Sequence, residues 1–162
     1  MAGPRRGKRG EGARKGARIL IVEARYYDEI ADALLAGAMK ALEEAGAEAD
    51  RISVPGSLEI PGAIAIAIDT AHWGRRSYDG AVALGCVIRG ETPHFGFVAG
   101  EAASGLQLAA IETGVPVSFG LLTCETKEQA EARVGKGAEA ARAALEMADL
   151  FTQVRTRASR SG

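Results

Sequence analysis

His94 closes a run, Gly85-Cys86-Val87-Ile88-Arg89-Gly90-Glu91-Thr92-Pro93-His94-Phe95, that passes from apolar residues through a glycine-containing turn into a helical pattern. Such a turn at a helix N-terminus presents free backbone N–H groups and a positive dipole end, which suit a phosphate or another anion. An imidazole placed there can move protons near neutral pH. A second run, Pro55-Gly56-Ser57-Leu58-Glu59-Ile60-Pro61, stiffens a loop with two prolines. In it Ser57 can cap a helix, and the Glu59 carboxylate can accept hydrogen bonds from a polyol or an amine. Arg133 and Lys136 flank Val134-Gly135 and can hold a phosphate, while Tyr26 can stack on a heteroaromatic ring. Each feature alone also has a plain structural use: a tight turn, an acid favouring the helix dipole, a solvated pair of cations, a packed ring. There is no Walker A loop and no G-x-G-x-x-G, which argues against the two commonest nucleotide-binding arrangements of α/β sheets.

The elements that must position these residues read as alternating short apolar runs and longer amphipathic stretches. Ile19-Leu20-Ile21-Val22 is a buried strand, and Asp28 can cap a helix with apolar positions Ile30, Leu34, Leu35, Ala38, Met39 and Leu42 that stops near Gly46. A strand over 47–54 follows, then a helix over 59–71 that is apolar on nearly every side and so calls for a partner beyond its own sheet. Next come a strand over 81–88, a helix over 94–112 stopped by Thr113-Gly114, and a strand over 115–122. Thr126 to Gln129 matches a capping box for a short helix that breaks near Gly135, and a last helix spans 137–154. The order predicts an α/β fold: a three-layer α/β/α sandwich on a four-stranded parallel sheet. Ligands in such folds sit at the carboxyl ends of the strands, which here means residues 25–27, 55–59, 85–94 and 119–123.

The 162 residues, 47% hydrophobic and 25% charged, suit one globular domain. Residues 1–18 hold seven basic side chains against Glu11 alone, and 155–162 hold Arg155, Arg157 and Arg160 with no acid, so the body between them is strongly acidic. Both ends are expected to be disordered basic tails around a folded body over 19–154. No aromatic interleaving accompanies the charge, so no specific nucleic-acid binding is expected. No window is long and apolar enough to span a bilayer, and the basic N-terminus lacks an apolar signal region; no membrane partner and a cytoplasmic location are expected. Cys86 and Cys124 lie in apolar runs and read as buried, reduced thiols, with no metal site.

Four segments together resemble the 6,7-dimethyl-8-ribityllumazine synthase family of riboflavin biosynthesis: 54–61, 83–95, 114–123, and Glu128-Gln129-Ala130 with Lys136-Gly137 and Glu139-Ala140-Ala141. The resemblance runs from Ile19 to Leu150. It implies a flavodoxin-like fold of the lumazine synthase type. It also implies a transferase that condenses 5-amino-6-(D-ribitylamino)uracil with 3,4-dihydroxy-2-butanone 4-phosphate, releasing phosphate and water, with no metal or redox cofactor. Carried over by position, Tyr26 stacks on the pyrimidine; Ser57, Leu58 and Glu59 bind the ribityl side; and main-chain groups of Val87 and Ile88 read the uracil edge. His94 shuttles protons, Glu91 and Thr92 meet the phosphate with Arg133 and Lys136, and Phe119 completes the ring pocket, Phe119 and Arg133 coming from a neighbouring subunit. A homo-oligomer is implied, a pentamer that can build a hollow icosahedral shell of sixty copies, with riboflavin synthase as a partner. Tyr26 stands where the family has Phe or Trp, Gly96 replaces an acid, and the link from Arg133 to Lys136 is several residues short. The alternative reading is a lumazine- or flavin-binding or shell-forming protein of the same fold. A flavodoxin-like redox domain is disfavoured because the first strand is not followed by a Ser/Thr-rich phosphate loop.

Overall fold

The computed structural model describes residues 16–74 and 76–161. The disordered tail expected over 1–18 lies outside them as far as residue 15, whereas Arg18 belongs to the fold. It opens β1 (Arg18–Ala24), with its guanidinium 2.5 Å from the Asp50 carboxylate and over the Tyr78 ring. The chain continues through α1 (Asp28–Glu44), β2 (Glu48–Val54), a 3-10 turn (Ser57–Glu59), α2 (Ile60–Trp73), β3 (Gly80–Ile88), α3 (His94–Thr113), β4 (Val117–Cys124), α4 (Lys127–Glu131) and α5 (Lys136–Arg160).

The four strands are all parallel in the order β2-β1-β3-β4, and alternate residues of β1 and β3 feed two cores. Ile19, Ile21, Val82, Leu84 and Leu122 pack with α1 and α5 on one face; Leu20, Val22, Ala81, Ala83 and Leu121 pack with α2 and α3 on the other. This is the three-layer sandwich expected, because parallel strands joined by crossovers need helices on both faces. Gly46 and Gly114, both at positive φ, end α1 and α3 as the pattern implies.

Local chemistry differs from expectation in several places. Asp28 does not cap α1: Tyr27 occupies that position without a side-chain cap, and the Asp28 carboxylate pairs with Arg25 instead. Ser57 makes no cap either. Thr126 does cap α4, its Oγ1 accepting from the Gln129 N–H, while Gln129 Oε1 accepts from the Glu125 N–H. The folded body also does not stop at Val154. Helix α5 continues to Arg160, and Arg155 donates to the Gly114 carbonyl at the end of α3 while lying over Phe151.

Tyr78 and Arg18 hold the half-exposed Asp50 carboxyl below the usual carboxylate range, the Tyr78 hydroxyl bond at 2.8 Å being the largest cause. A carboxyl depressed in the folded state stabilises it above the unfolded pKa of about 3.9, and that contribution is lost as pH falls through the folded value. Asp50→Asn is therefore expected to lower the urea midpoint near neutrality and to flatten its decline in acid; parallel acid limbs for the two proteins would refute the role.

Candidate functional site

In this strand order the chain leaves β1 to one side and returns to β3 on the other, so a crevice opens between the carboxyl ends of β1 and β3. Register makes it deeper. The β1–β3 pairing ends at Glu23 with Leu84, but β3 continues beside β4 to Ile88 with Cys124. From Gly85 to Ile88, the side of β3 that faces β1 therefore runs beyond the last β1 rung and offers main-chain donors and acceptors to a ligand. Val87 and Ile88, both half-buried, lie on this overhang.

Around it stand residues from three connections. Tyr26, in the β1–α1 turn, is 72% exposed, its ring edge-on to that of Tyr27 with centroids 5.0 Å apart. Ser57 is buried under the crevice, and its Oγ has no hydrogen-bond partner among the described residues. Gly85 makes room for it, since a Cβ there would come within 2.7 Å of that oxygen. An unpaired buried hydroxyl costs roughly 1–3 kcal/mol, a cost that a bound polar ligand removes. Leu58 is half-exposed, and the exposed Glu59 carboxylate folds back over Gly56. Glu91, Thr92 and His94 are exposed in the β3–α3 connection, with His94 opening the 20-residue α3 and its N–H 3.5 Å from Thr92 Oγ1.

The remaining predicted residues form a second group on the flank of β4, the edge strand. Residues 119–123 do not follow the strand, as expected; they lie inside it, and Phe119 is in register with Ala83, below the overhang. Arg133 is exposed and donates to the Gln129 carbonyl, and Lys136 opens α5 beside Glu139. With Thr123 and Cys124 they line a cleft of about 470 Å³ whose surface is mixed polar and apolar. The short link is a run of tight turns, Lys136 N–H to Arg133 O and Gly137 N–H to Val134 O, that carries α4 directly into α5. A second concavity, about 680 Å³, lies between α2 and β2, is largely apolar and touches none of these residues.

Two features escaped the sequence reading. Glu23, buried at the end of β1, joins Arg51, Ser53 and Arg25 in a charged cluster beside the crevice. A lone acid at the end of an apolar strand, followed two residues later by Arg25, is the signal that marks it. Arg89 bonds Glu125 at 2.8 Å and lies over Phe95, tying the β3–α3 connection to the end of β4. Cys86 and Cys124 are buried and free, and burial pushes the Cys86 thiol up to about 11, so it is no nucleophile.

The family model for 6,7-dimethyl-8-ribityllumazine synthase matches residues 16–152, nearly the whole described body. The chain belongs to the 6,7-dimethyl-8-ribityllumazine synthase family. Proteins of that name from Methylorubrum extorquens (strain PA1) and Agrobacterium fabrum (strain C58) are 55% and 56% identical to it over 137 residues. Those residues are 82% of this chain and 79% and 93% of the relatives. A 6,7-dimethyl-8-ribityllumazine synthase 1 from Rhodopseudomonas palustris is 53% identical over 137 residues, 82% of this chain and 84% of its own. The parallel sheet flanked by helices is the flavodoxin-like fold of lumazine synthases. Among the described residues no helix is long and apolar enough to cross a membrane, and no group of three or more His, Cys, Asp and Glu could hold a metal ion.

Proposed function

We propose that this member of the lumazine synthase family is a cytoplasmic transferase condensing 5-amino-6-(D-ribitylamino)uracil with 3,4-dihydroxy-2-butanone 4-phosphate. The observation that carries the reading is the crevice at the β1/β3 switch, where the orphan Ser57 hydroxyl and the β3 overhang face an exposed aromatic ring. The uracil edge lies along the main chain of Val87 and Ile88, beneath the Tyr26 ring. Ser57 and Glu59 take hydroxyls of the ribityl chain, with Leu58 against its carbons. The amine attacks the ketone to give an imine and water; phosphate then leaves, and ring closure expels a second water. His94 moves the protons of these steps, and much of the acceleration comes from holding two reactants in register. Glu91 N–H, Thr92 and the N-terminus of α3 receive the phosphate, as helix N-termini do.

Phe119, Arg133 and Lys136 lie on the flank of β4, which suits an assembly in which Phe119 and Arg133 of one copy serve the crevice of the next. Ile66 on α2 and Phe97 and Ile111 on α3 are large, apolar and exposed, which supports burial against further copies. The assembly is a pentamer that can build the icosahedral shell, and riboflavin synthase is the partner that consumes the product.

The test is to mix the purified protein with both substrates and follow lumazine absorbance and fluorescence. Formation faster than the spontaneous reaction is expected. Arg133→Ala removes a charge-assisted bond worth roughly 1.5–3 kcal/mol, and so should lower kcat/KM for the phosphate substrate about 10- to 100-fold. No acceleration by folded protein would overturn the reading in favour of a binding or shell role.

A further inference from the structure

We infer that Arg25 is a positioning residue for Tyr26, holding that ring over the crevice through one guanidinium shared among three carboxylates; this rests on Tyr26 being the ring that stacks on the pyrimidine. The cluster begins with Glu23, only 1% exposed at the last rung between β1 and β3. A buried carboxylate needs partners. Glu23 has them from both sides: Ser53 Oγ donates at 2.9 Å, Arg51 Nε at 2.6 Å and Arg25 Nη1 at 3.2 Å.

Arg25 spends its other donors on α1, Nη2 lying 2.5 Å from Asp32 and Nε 3.3 Å from Asp28. Its main-chain N–H donates to the Val54 carbonyl at the end of β2. Residue 25 is thus clamped by its backbone to β2 and by its side chain to β1 and α1. The planar five-donor fork can do this, whereas a lysine ammonium, a point charge, cannot span the three acceptors. The next residue, Tyr26, is 72% exposed, its ring edge-on to that of Tyr27 with centroids 5.0 Å apart. A ring so little packed takes its direction from its backbone, and that backbone is fixed by Arg25. The cluster lies on the α1 side of β1 while Ser57 packs on the α2 side, so Arg25 supports the ring without entering the crevice.

The experiment compares Arg25→Gln, Arg25→Lys, Asp32→Asn and Tyr26→Ala in steady-state kinetics with each substrate varied in turn, beside thermal unfolding. Arg25→Gln is expected to raise KM for the aminouracil about tenfold and leave KM for the butanone phosphate unchanged, with Arg25→Lys restoring only part. Asp32→Asn leaves Glu23 fully paired and the fold intact, so it carries the test if Arg25→Gln unfolds; it should raise the same KM about threefold. In the double variant Arg25→Gln/Tyr26→Ala, affinity for the aminouracil should fall no further than in Tyr26→Ala alone. Equal changes in both KM values, a change in unfolding temperature alone, or losses that add in the double variant would overturn the inference. An unchanged aminouracil KM in Tyr26→Ala would instead overturn the stacking role on which it rests.

Discussion

Alanine in place of His94 is expected to slow lumazine formation about a hundredfold in kcat, the lower end of what a positioned proton-transfer group contributes. His94 is exposed at the first turn of α3 and neither anchors the core nor caps the helix, so its removal leaves the fold intact and unfolding within about 0.5 kcal/mol of the parent. The loss should fall on kcat with both KM values nearly unchanged, because in the proposed mechanism the imidazole acts on protons in flight while Tyr26, Ser57 and the β3 overhang hold the substrates. His94→Gln, which keeps a polar side chain but cannot exchange protons at neutral pH, should be nearly as slow. A His94→Ala enzyme within twofold of the parent would show that the β3–α3 connection binds phosphate without proton transfer by this residue.

The second large effect concerns stability. A Cβ on Gly137 would stand 2.1 Å from the Leu34 carbonyl oxygen and 2.8 Å from its carbon, and these are backbone atoms of α1 that cannot swing aside. Gly137→Ala is expected to cost about 3 kcal/mol, the upper range for overpacking, and to lower the unfolding temperature by roughly 5–10 °C at fixed protein concentration. The gain of up to about 1 kcal/mol from replacing a helical glycine is too small to offset it. Gly100→Ala in α3 is the control, since no atom of the described residues of the same chain lies within 4 Å of a Cβ there, and in the isolated subunit it should be neutral or stabilising by up to about 1 kcal/mol. Because Gly137 follows Lys136, a residue of the proposed phosphate site, the Gly137→Ala variant should also raise KM for the butanone phosphate with little change in KM for the aminouracil. Equal stability of the Gly137 and Gly100 variants would refute the close approach of α5 to α1.

Much of the fold was legible in residue pattern. Continuous apolar runs such as Ile19 to Val22 and the 3.6-residue period of 30–42 leave little choice of element, and Gly46 and Gly114 stop their helices because only glycine takes positive φ without strain. Ends were less legible. Helix α5 outlasts its apolar stripe because Arg155 finds the Gly114 carbonyl, a contact between residues 41 positions apart. Asp28 looked like a cap because caps favour short acids, yet Arg25 offered its carboxylate a better partner. The motif around His94 and the run from Pro55 to Pro61 were readable because turn chemistry and proton chemistry demand particular residue types at particular spacings.

By itself, the sequence determined the element order, the buried strands and the family, since these follow from local pattern and from motifs contiguous in the chain. Tertiary structure alone decided that β3 outruns β1, that Ser57 Oγ beside Gly85 has no partner among the described residues, and that Arg25 is shared by Glu23, Asp28 and Asp32. It also decided that Phe119 and Arg133 stand on the flank of β4, apart from the crevice group. The physical reason is register: a strand buried on both faces is apolar at every position, so its pattern is the same whichever residue it pairs with. The crossover helices set how far each strand rises, and with that rise they set which main-chain groups remain open to a ligand.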